Sequence, residues 1–101
     1  MKRMLLTAYI IVFAGLAGVA HAAGDAAAGK AKATACAMCH GPEGKGTQVG
    51  PKLAGSDPAH LVQAMMDYKS GKKDNAMMKA QTAQLSAADM ANLAAYYASL
   101  K

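Results

Sequence analysis

Residues 36–40 read CAMCH, and they hold the only two cysteines of a 101-residue chain, with His40 directly behind the second. Three chemistries use thiols at this spacing. A disulfide oxidoreductase places its CxxC at a helix N-terminus, normally within a βαβ unit, and no alternating strand pattern flanks Cys36. A structural zinc site takes four ligands. CAMCH offers three crowded ones, no second pair follows, and His60 alone does not complete a set.

The third chemistry is covalent attachment of haem, for which C-x-x-C-H is the signature. On one helical turn Cys36 and Cys39 share a side, so both sulfurs can form thioethers with two vinyl groups while His40 reaches the iron. This reading fits best. One haem c, bound through Cys36 and Cys39, is therefore the expected cofactor.

The N-terminal segment agrees with chemistry carried out beyond the cytoplasm. Lys2 and Arg3 precede the apolar stretch MLLTAYIIVFAGLAGV (4–19), and AHA (20–22) supplies a small-x-small cleavage site. The apolar run is shorter than the roughly 20 residues that span a bilayer. Residues 1–22 are thus expected to be a signal peptide and 23–101 a mono-haem domain, located in the periplasm without stable membrane insertion.

Cleavage after Ala22 leaves roughly 79 residues, one domain at most. At that size a hydrophobic core alone is rarely sufficient, and a disulfide, metal or cofactor usually adds to it. Beyond Ala22 there is no phenylalanine or tryptophan, and the apolar content is mainly Ala, Leu and Met. A large flat apolar group would fill such an interior. The same segment carries nine basic residues against six acidic ones. Its lysines are dispersed and lack interleaved aromatics, which argues against nucleic acid as a partner and for acidic protein surfaces.

The segment Asp25–Cys36 is rich in Ala and Lys and reads as a helix that Gly29 interrupts, an interior glycine that marks close helix contact. HGPEGKGTQVGPKLAGSD (40–57) contains five glycines and two prolines and reads as a loop whose backbone serves the site. A second helix begins with Asp57 as cap and Pro58 in first position and ends before Gly71. Leu61 and Met65 share its apolar face, with Val62 and Met66 beside them. NAMMKAQTAQ (75–84) reads as one further helical turn. LSAADMANLAAYYASLK (85–101) is the clearest helix: Ser86 and Asp89 form a capping box, and Met90, Leu93, Ala94 and Tyr97 recur at helical spacing. Met65, Met66 and Met90 read as core filler, Met38 as a variable spacer and His60 as a surface residue. The fold class is all-α.

Three blocks in a fixed order, CAMCHG (36–41), GPKLAG (50–55) and LSAADMANLAAYYASL (85–100), resemble the small mono-haem class I c-type cytochromes of bacteria. The resemblance covers essentially all of the chain after Ala22. In the four-helix-bundle cytochromes of the c-prime kind the CxxCH lies near the C-terminus instead. The resemblance implies the class I cytochrome c fold, about four short helices wrapped around one covalently bound haem. It further implies that the Pro51 carbonyl accepts the Nδ1 hydrogen of His40, that Leu53 packs on the haem face, and that His40 and a methionine are the metal ligands. Counting from Asn75 and back from Leu85 selects Met78 over its neighbour Met77. Gly29 and Tyr96 match the crossing of the first and last helices, with Tyr97 as the partly buried neighbour. One departure is Lys73 in GKKDN (71–75), where related sequences often have arginine, so a bidentate guanidinium contact to a propionate is not available.

By the same resemblance, His/Met ligation makes the iron six-coordinate and implies a periplasmic one-electron carrier with no enzymatic activity. Lys45, Lys52, Lys69, Lys72, Lys73 and Lys79 would border the haem as a basic rim facing acidic redox partners. Two other readings stay open at this point. The domain could be the cytochrome subunit of a periplasmic dehydrogenase complex, or a five-coordinate ligand-binding haem protein.

Overall fold

The computed structural model describes residues 24–101. The expected signal peptide, residues 1–22, lies outside the described residues. Asp25 opens helix α1 (Ala26–Lys32): its carboxylate accepts from the N–H groups of Ala27 at 2.9 Å and Ala28 at 3.3 Å, satisfying donors that a helix start leaves free. Helix α2 (Thr34–His40) follows after a single residue. The break falls at Ala33, whose N–H bonds back only three residues to Lys30, while Gly29 lies inside α1 without interrupting it. No proline or glycine marks Ala33. Its side chain is buried in the core, so the break belongs to tertiary packing rather than to local propensity.

Helix α3 (Pro58–Ser70) has the expected ends: Asp57 accepts from His60 N–H at 3.0 Å, Pro58 opens the first turn, and Gly71 closes the helix in the left-handed region. Helix α4 (Ala76–Thr82) is two turns, longer than the single turn read from sequence. Helix α5 (Ala87–Ser99) starts with the full capping box, Ser86 Oγ accepting from Asp89 N–H at 3.0 Å and Asp89 accepting from Ser86 N–H at 2.9 Å. These bonds, with Lys32 nearby, hold the Asp89 carboxyl below its ordinary range. Five helices and a 3-10 turn (Pro42–Gly44) make up the regular structure of the described residues, with no strand among them. The count exceeds four because the first helix is divided.

α5 is the centre of the fold. α1 crosses it on one side and α3 packs on it from another, with α4 against α3. Met90, Leu93, Ala94 and Tyr97 recur every three or four residues on α5 and are all buried, together with Ala33 and Leu61. At the α1–α5 crossing a Cβ on Gly29 would run into the backbone carbonyl of Asn92 and lie 2.9 Å from Tyr96 Cβ, so only glycine allows this approach. The Asp25 N–H donates to Asn92 Oδ1 at 2.8 Å beside the same contact.

Two expectations are corrected. Tyr97, 3% exposed, is the buried ring of the tyrosine pair and Tyr96 the partly buried one. Met66 is 48% exposed rather than core filler. At 100° per residue it stands about 140° around α3 from Leu61, whereas Met65 stays near the buried stripe.

Candidate haem-binding site

α2 ends in the motif itself, and its last residue, His40, is buried. The chain then doubles back. Gly46 N–H donates to the His40 carbonyl at 2.7 Å, and Thr47 Oγ1 donates to the Cys39 carbonyl. The same hydroxyl accepts from Val49 and Gly50 N–H at 3.0 and 3.2 Å, a side-chain turn that folds the loop against α2. No sequence motif marks Thr47; a threonine among closely spaced glycines is the available signal.

This turn delivers Pro51. Its carbonyl lies 2.7 Å from His40 Nδ1, and since a carbonyl only accepts, the Nδ1 hydrogen is engaged there and Nε2 is left for another partner. A Cβ on Gly50 would lie 2.8 Å from the Cys39 carbonyl oxygen and 2.9 Å from Nδ1, so a side chain there would push the loop off the ring. Leu53 is half-buried against the core cluster.

Cys36 and Cys39 are each partly exposed, one helical turn apart on α2, and are not joined to each other. Burial pushes the Cys36 thiol up, partly opposed by a hydrogen bond from Tyr97. The Tyr97 hydroxyl is itself pushed up, by burial first and by Cys36 second.

Of the two adjacent methionines, Met78 is half-buried and Met77 is 61% exposed. Met78 is N3 of α4, and its N–H is capped by Asn75. His60 is exposed at the start of α3. The six lysines named above are all exposed. Three have neighbours: Lys45 pairs with Glu43 at 3.5 Å, Lys69 donates to the Leu85 carbonyl, and Lys73 Nζ stands 5.4 Å from the Tyr68 ring centroid. A shallow groove of about 370 Å³, lined by Glu43, Lys45, Lys52, Ala54, Leu100 and Lys101, contains none of the thiol, imidazole or thioether groups.

The residues fit a haem joined through two thioethers: two free sulfurs on one short helix, and beside them a buried imidazole with one nitrogen engaged and the other free. Short helices around a CxxCH whose histidine is tied to a downstream proline define a small class I c-type cytochrome.

Comparison with known proteins places the chain more closely. The family described as cytochrome c oxidase, cbb3-type, subunit III, matches residues 22–96, and the chain belongs to this family of c-type cytochromes. Its cofactor is haem c, attached through Cys36 and Cys39. Cytochrome c4 of Pseudomonas aeruginosa is 44% identical over 102 residues, covering 100% of this chain and 50% of the relative. Cytochrome c-554(547) of Halothiobacillus neapolitanus is 43% identical over 91 residues, covering 78% of this chain and 100% of the relative. Among solved structures, cytochrome c4 of Acidithiobacillus ferrooxidans superposes with a TM-score of 0.67 at 30% identity, covering 75% of this chain and 51% of that one. The chain spans about half the length of the cytochrome c4 relatives it matches. Among the described residues no helix is long and apolar enough to cross a membrane.

Proposed function

We propose that the protein is a periplasmic one-electron carrier in which His40 and Met78 are the axial ligands. The observation that carries this reading is the His40 Nδ1 to Pro51 carbonyl contact of 2.7 Å. It fixes one tautomer and one ring orientation, and a hydrogen-bonded imidazole is the more basic ligand in either oxidation state. The haem iron supplies ferric–ferrous exchange when bound, and the chain supplies ligation, burial and orientation. A thioether as second ligand is a soft donor that favours ferrous iron. Met78 is the methionine we assign to that role, because it is half-buried where Met77 projects outward. Leu53 and Pro51 complete the cofactor contacts in this reading.

Residues 1–22 would export the chain and be removed. The exposed lysines would face an acidic patch on a redox partner and speed encounter rather than tighten binding. Electron transfer to such a partner should then slow by roughly an order of magnitude as ionic strength rises from about 0.01 to 0.2 M. Stopped-flow rates that stay flat over that range would remove the basic rim from the account.

The ligand assignment has a direct optical test. Met78→Ala should abolish the weak sulfur-to-iron charge-transfer band of the oxidised protein, while Met77→Ala should retain it. The reverse pattern would move the ligand to Met77.

One observation favours a second reading, a domain that works within a larger redox assembly: its match to only half of each cytochrome c4 relative. Gel filtration of a native extract distinguishes the two. A free carrier elutes at the size of this chain, and a subunit elutes with its partner.

A further inference from the structure

We infer that Asn75 and Thr82 are positioning residues for Met78, clamping its backbone from both sides and so restraining its sulfur. The inference rests on the reading of Met78 as an axial ligand. α4 has only seven residues, and a helix that short is not stable by itself in water. Its two ends nevertheless converge on one residue. At the start, Asn75 Oδ1 accepts from the Met78 N–H at 3.0 Å. At the end, Thr82 donates its hydroxyl to the Met78 carbonyl at 2.8 Å, with a longer branch to the Lys79 carbonyl at 3.3 Å.

Met78 thus has both of its own backbone polar groups taken by side chains. Neither of these bonds reaches Met77. The Asn75 bond satisfies one of the donors that a helix start leaves unpaired, so losing it frees the first turn to fray. The Thr82 bond is the less expected of the two. Thr82 is 1% exposed, and threonine is a weak helix former that a valine of similar shape could replace in an apolar core. Its hydroxyl spends both contacts on carbonyls of its own helix, one of them that of Met78.

The consequence follows from the weakness of a thioether donor. A sulfur on a frayed turn moves away from its position each time the turn opens, and local opening is set by local bonds rather than by global stability. Holding the N–H and the carbonyl of the same residue suppresses that opening where it matters. The clamp leaves the donor unchanged and limits how often it departs.

The test uses the holoprotein and the rate at which imidazole enters the oxidised form, followed by loss of the charge-transfer band. Asn75→Ala and Thr82→Val should each speed entry about five-fold, the factor expected for losing one such bond. Asn75→Ser and Thr82→Ser, which keep a capping oxygen and a hydroxyl, should stay within about two-fold of the unaltered protein. Ser86→Ala removes an equivalent cap from α5, which bears no proposed ligand. It should lower thermal stability without changing the imidazole rate. The clamp is overturned if Asn75→Ala and Thr82→Val lose stability yet admit imidazole no faster than Ser86→Ala. Met78→Ala separates the two levels: if it keeps the band, the ligand assignment fails and the clamp with it. If it loses the band while the clamp variants behave as Ser86→Ala does, the ligand stands and the clamp alone is wrong.

Discussion

A chain carrying Cys36→Ser and Cys39→Ser together is expected to be colourless and to lose most of its helical signal and its cooperative melting at room temperature. The reason lies in how little apolar material the polypeptide supplies. Among the described residues the buried hydrophobic side chains are Ala33, Ala54, Leu61, Met90, Leu93, Ala94 and Tyr97, three of them alanines. An alanine buries little area, and a fully buried leucine or tyrosine is worth only about 2–3 kcal/mol. Ordering each residue costs about 1.5 kcal/mol, so a domain of this size sits near balance before any cofactor is counted. Far-UV circular dichroism with thermal melting reads the outcome. An unchanged helix signal with a sharp transition would mean that the helices hold one another without the prosthetic group.

The second large effect concerns Gly29. Replacing an interior helical glycine by alanine should help by about 1 kcal/mol on propensity alone. Here the sign reverses. The new methyl carbon would overlap the Asn92 carbonyl, and a backbone atom inside a helix cannot rotate away. α1 must then lift off α5, loosening the crossing at Asn92 and Tyr96. Overpacking of this kind typically costs about 1–3 kcal/mol, and against a backbone carbonyl it lies at the upper end, so urea unfolding of Gly29→Ala should show a lower midpoint. A midpoint at or above that of the unaltered protein would show that the crossing has slack.

Much of this architecture is legible in the sequence because its signals are local. Asp57 with Pro58, Gly71, and the Ser86–Asp89 pair each specify a helix end through bonds within a few residues, and each is found where the pattern puts it. The Pro51 contact to His40 is legible for another reason: the GPKLAG block is a recurring companion of CxxCH, and the loop between them is short. What escapes local reading depends on packing. The break at Ala33 has no breaker residue, and its position is set by the burial of Ala33 itself. Tyr97 is legible by another route: its helical spacing from Met90, Leu93 and Ala94 puts it on the buried stripe, whereas the family resemblance makes it the partly buried ring. Thr82 reads as an ordinary polar residue in a polar stretch. Its role emerges only once α4 is closed and its hydroxyl has a carbonyl to meet.

The two thiols and the imidazole sit within five consecutive residues of one short helix, while the carbonyl that steadies the imidazole arrives eleven residues later and Met78 from a separate helix. Maturation therefore has a built-in sequence. The groups expected to bond the macrocycle lie in one pentapeptide, so their bonding would require little of the tertiary structure. The bonded group would then offer the later segments an apolar surface to pack on, and a chain that missed it would lack that surface.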